Sequence, residues 1–310
     1  MDFIKEPSVA IILVNWNGYE LTKVCIHSLF RMGYQNYHVV LVDNASPDGS
    51  GPRIRDAFKD KITYIQNEKN LGFSGGNNTG IRYALEKGFD YILELNNDTE
   101  VEPDFLTRLV DSIDDRPEFG AAQPVMTYTS EKEKVWNAGG IYWPVLGLSF
   151  TRNKNRPVYQ AMNSKETDWI TGCCFLIKTE VLQKVGFLKE VFFFGSFEDV
   201  DMSLRIKQEG YKLWYECTSK IYHSVGQSSK SKTKGKEGYL NPMLHYLVNR
   251  NQLFFIRMHV KWWFLPLAYA VQAGKMLAFT LYFIVRGRFG KLRHAWRGFF
   301  HGIIKNYEDR

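Results

Sequence analysis

The chain has 310 residues, 45% of them hydrophobic and 15% aromatic, enough to bury one large or two small cores, which excludes disordered and fibrous classes. Its net charge of +7 is concentrated at one end: residues 251–310 hold ten Lys/Arg against Glu308 and Asp309, a net of +8, whereas the remainder carries 30 basic and 31 acidic groups. A nucleic-acid footprint spread over the whole protein is thereby excluded, and no nucleic-acid partner is expected.

Residues 9–14 form a continuous apolar, β-branched run, as in a strand buried on both faces of a parallel sheet. The run is too short, and too acidic at its flank (Asp2, Glu6), for a signal peptide. It ends in Asn15, Trp16, Asn17 and Gly18. Residues 20–32 then predict a helix with Leu21, Val24, Cys25, Ser28 and Leu29 on one face. A second strand over 39–42 ends in Asp43, Asn44 and Ser46, and a third over 62–65 leads into residues 70–80, which hold four glycines. These glycines suit two readings: a tight connection into a helix starting near Asn77, or backbone N–H groups presented to a diphosphate. The spacing is neither a dinucleotide fingerprint nor a P-loop.

Residues 91–95 are a fourth strand, ending in Asn96, Asn97 and Asp98. Short polar side chains there suit a turn, or a hard cation bound through oxygen at the carboxyl edge of an open sheet. A helix over 104–112 follows, then a hairpin over 135–143 and an exposed loop over 152–160. A further strand runs to Ile177, and Thr179 is expected to cap a helix closed by Gly186. After the aromatic run Phe192, Phe193, Phe194, the carboxylates Glu198 and Asp199 stand at a helix start. They suit capping of that helix, or general-base chemistry beside apolar walls. A strand over 211–216 precedes His223, which suits a structural role or metal ligation, and residues 228–238 predict a solvated Lys/Ser/Gly loop.

Strands alternating with helices at this spacing predict a doubly wound, mostly parallel α/β sheet. Beyond residue 241 the chain turns helical, basic and aromatic. At 100° per residue, Lys261, Gln272, Lys275 and Arg286 fall within about 60° of one another, so a helix over 261–286 is expected either to lie in a membrane interface or to pack on the protein's own core. Lys275 near its middle makes spanning costly. Cys25, Cys173, Cys174 and Cys217 lack C-x-x-C spacing, which points to buried thiols in a reduced cytosol.

Four motifs in order, Val14-Asn15-Trp16-Asn17, Val42-Asp43-Asn44-Ala45-Ser46, the run from Asn70 through Gly80, and Phe197-Glu198-Asp199-Val200-Asp201, resemble the family 2 inverting glycosyltransferases of GT-A fold, most closely the rhamnosyltransferase-like branch, over residues 8–228. The resemblance implies a GT-A domain over 1–240, with a nucleotide-sugar-binding half at 1–118 and an acceptor-binding half at 119–240. A helical, membrane-associating tail occupies 241–310. It implies nucleotide-sugar contacts from Val14, Asn15, Asn17, Asp43, Asn44, Gly72, Phe73, Gly76, Asn77 and Asn97, and Mg²⁺ or Mn²⁺ on Asp98 and His223. Asp199 with Glu198 would be catalytic, Asp199 as base, with Trp169 and Gly172 on the acceptor side and Phe193 placed to stack on sugar. Asn96 departs from the family's D-x-D by placing an amide where a carboxylate is usual.

The implied reaction moves a sugar, from dTDP-rhamnose or otherwise a UDP-hexose, to a hydroxyl of a glycan or a polyprenyl-diphosphate-linked acceptor. The enzyme would be cytoplasmic and peripheral on the inner face of the cell membrane, held by anionic lipid. Two alternatives are a sugar nucleotidyltransferase, disfavoured because residues 15–18 carry no basic group, and a non-catalytic sugar- or nucleotide-binding protein, disfavoured by Asp98 together with Asp199.

Overall fold

The computed structural model describes residues 6–193, 196–225, 230–235 and 237–307. They divide into two compact units, the first comprising residues up to 141 with 150–225, the second 142–149 with the chain from 226 onward.

In the first unit β1 (Val9–Asn15), α1 (Tyr19–Leu29), β2 (Tyr37–Asp43), α2 (Ser50–Phe58), β3 (Thr63–Gln66), α3 (Gly72–Lys87) and β4 (Tyr91–Asn96) alternate. Then come β5 (Thr99–Val101), α4 (Phe105–Asp111), β6 (Phe119–Tyr128), β7 (Val135–Asn137), and a hairpin of β8 (Gly140–Trp143) and β9 (Leu148–Thr151), of which residues 142–149 belong to the second unit. The unit ends with β10 (Lys165–Thr167), β11 (Cys174–Lys178), α5 (Thr179–Val185), α6 (Glu198–Gln208) and β12 (Lys212–His223). One ten-stranded sheet runs β10-β12-β6-β11-β4-β1-β2-β3, with β5 on β12 and β7 on β6. Strands β3, β2, β1 and β4 are parallel, β11 is antiparallel to both neighbours, and β6 is parallel to β12.

The unbroken apolar character of β1 follows from burial on both faces. Val9, Ile11 and Leu13 join the core that holds Cys25, Ile26 and Leu29 of α1, while Ala10 and Ile12 join the core that holds Ile81 and Ala84 of α3. Helices on both faces of a mostly parallel sheet give the GT-A-like α/β arrangement that the motifs imply.

Several local expectations change. Helix α3 begins at Gly72, not near Asn77, and its glycines are spent on close packing: a Cβ at Gly80 would stand 2.5 Å from Ile12 Cγ2, and one at Gly76 would stand 2.8 Å from Val14 Cγ1. The hairpin falls at 140–151 because residues 135–137 pair with β6 instead. Val24 is 45% exposed, since α1 turns Thr22 inward to reach a strand tip. Thr179 makes no capping bond, and the strand expected at 211–216 continues to His223 past an irregularity between Glu216 and Lys220.

The second unit holds a two-stranded ribbon of β13 (Lys230–Gly235) and β14 (Gly238–Leu240), then α7 (Pro242–His259), α8 (Leu265–Val285) and α9 (Phe289–Ile304). The ribbon occupies much of the stretch read as a loop, whose residues 228, 229 and 236 lie outside the described residues. Pro266 sits in the first turn of α8, where its missing N–H costs nothing. Leu253 and Ile256 of α7, Ala268, Met276 and Phe283 of α8, and Ala295 and Phe299 of α9 share one core.

Candidate active site at the carboxyl edge of the sheet

Parallel strands β1, β2 and β4 end level with one another, Asn15 opposite Asp43 and Val14 opposite Asn96. Asn15 is buried and its amide is spent within the edge. Its Nδ2 lies 2.7 Å from Asp43 Oδ1, 2.9 Å from Ser50 Oγ and 3.1 Å from Ser46 Oγ, while its Oδ1 accepts from the Gly18 N–H and the Thr22 hydroxyl. Asp43, also buried, accepts the Ser46 N–H at 3.0 Å and Gln66 Nε2 at 2.9 Å. Asn44 donates to the Gly72 carbonyl at 2.8 Å and accepts the Leu71 N–H at 3.0 Å, tying β2 to the start of α3.

These side chains therefore assemble the edge by bonding one another. Asn17, at φ 57°, bends the chain there and donates its N–H to Ser46 Oγ at 3.0 Å. Val14 lies over Gly76, the Asn77 amide donates to the Phe73 carbonyl at 3.0 Å, and the Asn97 amide donates to Thr22 Oγ1 at 2.7 Å.

Across the edge stand the two carboxylates at the start of α6. The half-buried Asp199 accepts the Gly172 N–H at 3.1 Å on one oxygen and the Val200 N–H at 2.8 Å on the other. A side chain at Gly172 would meet the Phe73 ring at 3.1 Å and Asp199 Cβ at 3.6 Å, so glycine lets these elements approach without displacing the ring. The next residue, Cys173, accepts the Asn96 N–H at 2.9 Å, so a continuous backbone link joins Asp199 to the Asn96-Asn97-Asp98 tip.

Glu198 is buried with Oε2 lacking a hydrogen-bond partner. Burial, then the neighbouring Asp199 charge, pushes the Glu198 carboxyl well above its ordinary range; burial also raises Asp199, opposed by the N–H groups that favour its charged form. Asp201 is not part of this pair: it is buried against Arg205 Nε at 2.9 Å and Lys189 Nζ at 3.3 Å.

Trp169 is turned inward, its Nε1 donating to the Ile141 carbonyl at 3.3 Å. Phe193 is half-buried at φ 48°, its carbonyl accepting the Phe73 N–H; Phe194 lies outside the described residues.

Asp98 and His223 meet because β5 pairs with β12 in the register that sets Thr99 opposite His223. Both are buried, and His223 Nε2 lies 3.1 Å from Asp98 Oδ1. The contact lacks hydrogen-bond alignment, and Asp98 Oδ1 and His223 Nδ1 are left without a hydrogen-bond partner. Trp136 packs edge-on against the imidazole, ring centres 4.3 Å apart.

A nitrogen and a carboxylate oxygen so placed fit a divalent cation, since neighbouring ligands at about 2.1 Å in an octahedron stand about 3.0 Å apart. Among the described residues no cluster of three or more His, Cys, Asp or Glu completes such a site. The remaining ligands would therefore come from water and from substrate oxygens, the usual pattern for Mg²⁺ on phosphates.

One further group escaped the motif reading. Glu94 lies within β4 between Leu93 and Leu95, buried, with Oε2 unpartnered. Burial first and the Asp199 charge second push its carboxyl up to about 8, with Arg205 pulling the other way. A carboxylate inside an otherwise apolar strand run was the signal in the sequence.

The Glycosyl transferase family 2 profile matches residues 10–186, more than half of the chain. The chain is 23% identical over 273 residues to the N-acetylglucosaminyl-diphospho-decaprenol L-rhamnosyltransferase of Mycobacterium tuberculosis, covering 82% of this chain and 85% of that one. It is 23% identical over 224 residues to the dTDP-rhamnosyl transferase RfbF of Shigella flexneri, covering 72% of each. Among solved structures, GalNAc-T7 with UDP, GalNAc and Mn²⁺ superposes with a TM-score of 0.60 at 16% identity, over 81% of this chain and 48% of that one, a likeness of fold. With the strand-tip edge and the fold in agreement, the chain belongs to glycosyl transferase family 2 and is a glycosyltransferase.

Proposed function

We propose that this glycosyltransferase moves a sugar, with inversion, from a nucleoside-diphosphate donor to a hydroxyl of a glycan or polyprenyl-diphosphate-linked acceptor. The favoured donor is dTDP-rhamnose, supported by the two rhamnosyl-transferring relatives; UDP-hexoses come next. The observation that most supports this reading is the pairing, along one sheet edge, of a carboxylate held by two backbone N–H groups with a buried Asp–His pair that lacks hydrogen-bond alignment.

In this mechanism the tips of β1 and β2 hold base and ribose, and the start of α3 faces the diphosphate. Asp98 and His223 would hold Mg²⁺ or Mn²⁺, which when bound neutralises charge building on the departing nucleoside diphosphate. Asp199 accepts the proton of the acceptor hydroxyl as that oxygen attacks the anomeric carbon from the face opposite the leaving group. The Gly172 and Val200 N–H groups fix the carboxylate while burial raises its basicity. Glu198 is buried beside it, and Gly172, on the acceptor side, lets Phe73 and Asp199 approach closely. The protein works in the cytoplasm, its second unit on the anionic inner face of the cell membrane.

The test is a panel of nucleotide sugars with Mn²⁺ and lipid-linked acceptors, followed by nucleoside diphosphate release and by the product's anomeric configuration. Asp199→Asn is expected to lower turnover by about 10²–10⁴. Transfer at the parental rate would refute the base assignment, and metal-independent turnover untouched by Asp98→Ala would refute the cation site.

A further inference from the structure

The second unit carries an exposed ridge that its own core does not use. Helix α8 buries Ala268, Gln272, Met276 and Phe283, with Gln272 only 3% exposed. Within α8 the two polar residues of the stripe, the buried Gln272 and the half-buried Lys275, therefore lie toward the packed side, the reverse of what an amphipathic helix in water would show, while Lys261 and Arg286 just beyond its ends are exposed. The opposite side, centred on Trp263, Leu267, Leu277, Leu281 and Val285, faces outward, with Leu281 69% and Val285 84% exposed. At 100° per residue Lys275, the one charge between 262 and 285, lies about 120° from the middle of this ridge.

Residues 262–285 are long and apolar enough to cross a membrane, with mean hydropathy 1.3. Spanning is nevertheless disfavoured by what packs beside them. Helix α9 returns along α8, with Trp296 Nε1 donating to Thr280 Oγ1 at 2.9 Å, which sets the exposed Arg293 and Arg297 alongside the second half of α8. Crossing would carry those guanidinium groups into hydrocarbon. On the exposed side of α9 these arginines interleave with Phe289, Phe300 and Ile304, the mixture suited to a headgroup layer. Aromatic and basic residues also bracket the ridge, Lys261 and Trp262 at one end and Tyr282 and Arg286 at the other. Between 251 and 307 there are nine Lys/Arg and no Asp or Glu, a charge complementary to acidic phospholipid.

We propose that α8 lies in the plane of an anionic bilayer, its uncharged ridge at the acyl boundary and Arg293 and Arg297 of α9 at the level of the phosphates. This rests on the membrane association proposed above and adds an orientation to it.

The four native thiols are buried, so single cysteines on the ridge can be labelled selectively. Full-length Leu267→Cys, Leu277→Cys and Val285→Cys proteins, each carrying an environment-sensitive fluorophore, are mixed with phosphatidylglycerol–phosphatidylcholine vesicles holding quenchers at set acyl depths. All three positions are expected to shift to the blue and to report one common, shallow depth. A graded profile with Leu277 deepest would overturn the in-plane orientation while leaving membrane association standing. Failure of the unlabelled parent to co-sediment with these vesicles would overturn membrane association itself. A blue shift that rises with protein concentration in the absence of vesicles would assign the ridge to a second copy instead and end the proposal. Arg293→Glu with Arg297→Glu is expected to weaken partitioning about tenfold or more, and unchanged partitioning would remove α9 from the contact.

Discussion

Asp199 and Glu94 show how one neighbourhood makes acids of different use. Asp199 keeps two N–H donors on its oxygens, whereas Glu94 has an unpartnered oxygen in the core and is pushed up to about 8. Glu94 is therefore protonated in the folded protein near neutral pH, while the unfolded chain ionises it from about pH 4.5 upward. The folded state binds the extra proton between those values, so this group's contribution is full below pH 4.5 and is lost as pH rises through 8. Glu94→Gln removes the term: its melting temperature is expected to fall less than that of the parent between pH 5 and 8.5, measured by scanning calorimetry. Parallel pH profiles for the two proteins would show that Glu94 is not held neutral.

At the scale of elements, α3 gives up side chains to approach the sheet. With a Cβ at Gly80 only 2.5 Å from Ile12 Cγ2, Gly80→Ala is expected to destabilise by about 1–3 kcal/mol in denaturant titrations, although alanine favours helix at an exposed position. Unchanged stability would mean that β1 and α3 can separate without penalty. The same glycines mark the limit of what was legible in the sequence. The apolar runs of β1, β2 and β4 were plain because both of their faces are buried, and Asn15, Asp43 and Asn96 at their ends followed directly. Gly72, Gly75 and Gly76 suggested a connection ahead of the helix because local preference disfavours glycine in helices, and tertiary packing overrides that preference. Glu94 was passed over because no motif contains it. The orientation of α8 was not legible either: its polar stripe was visible, but which side the partner helices would cover depends on α7 and α9, which the stripe does not encode.

For the whole molecule, the division of charge follows the division into units. The second unit holds 15 Lys/Arg against three Asp/Glu, a net of +12, whereas the larger unit, with its acidic edge, holds 25 against 30, a net of −5. The Asp98–His223 pair has a wider consequence. It exists only because β5 and β12 pair with Thr99 opposite His223, and a slip of one residue would turn the imidazole to the other face of the sheet. The unfolded chain, with 124 residues between the two groups, has no such pair. A cation bound there is accordingly a ligand of the native state, and by mass action it adds stability without changing the fold. At a hundredfold excess over its Kd the gain is about 2.7 kcal/mol. Mn²⁺ is expected to raise the parent's melting temperature on the order of 5 °C and to leave Asp98→Ala unmoved. Equal shifts in both proteins would locate the ion elsewhere. Under the cation role proposed above, metal in the growth medium would act on how long the enzyme lasts as well as on how fast it turns over.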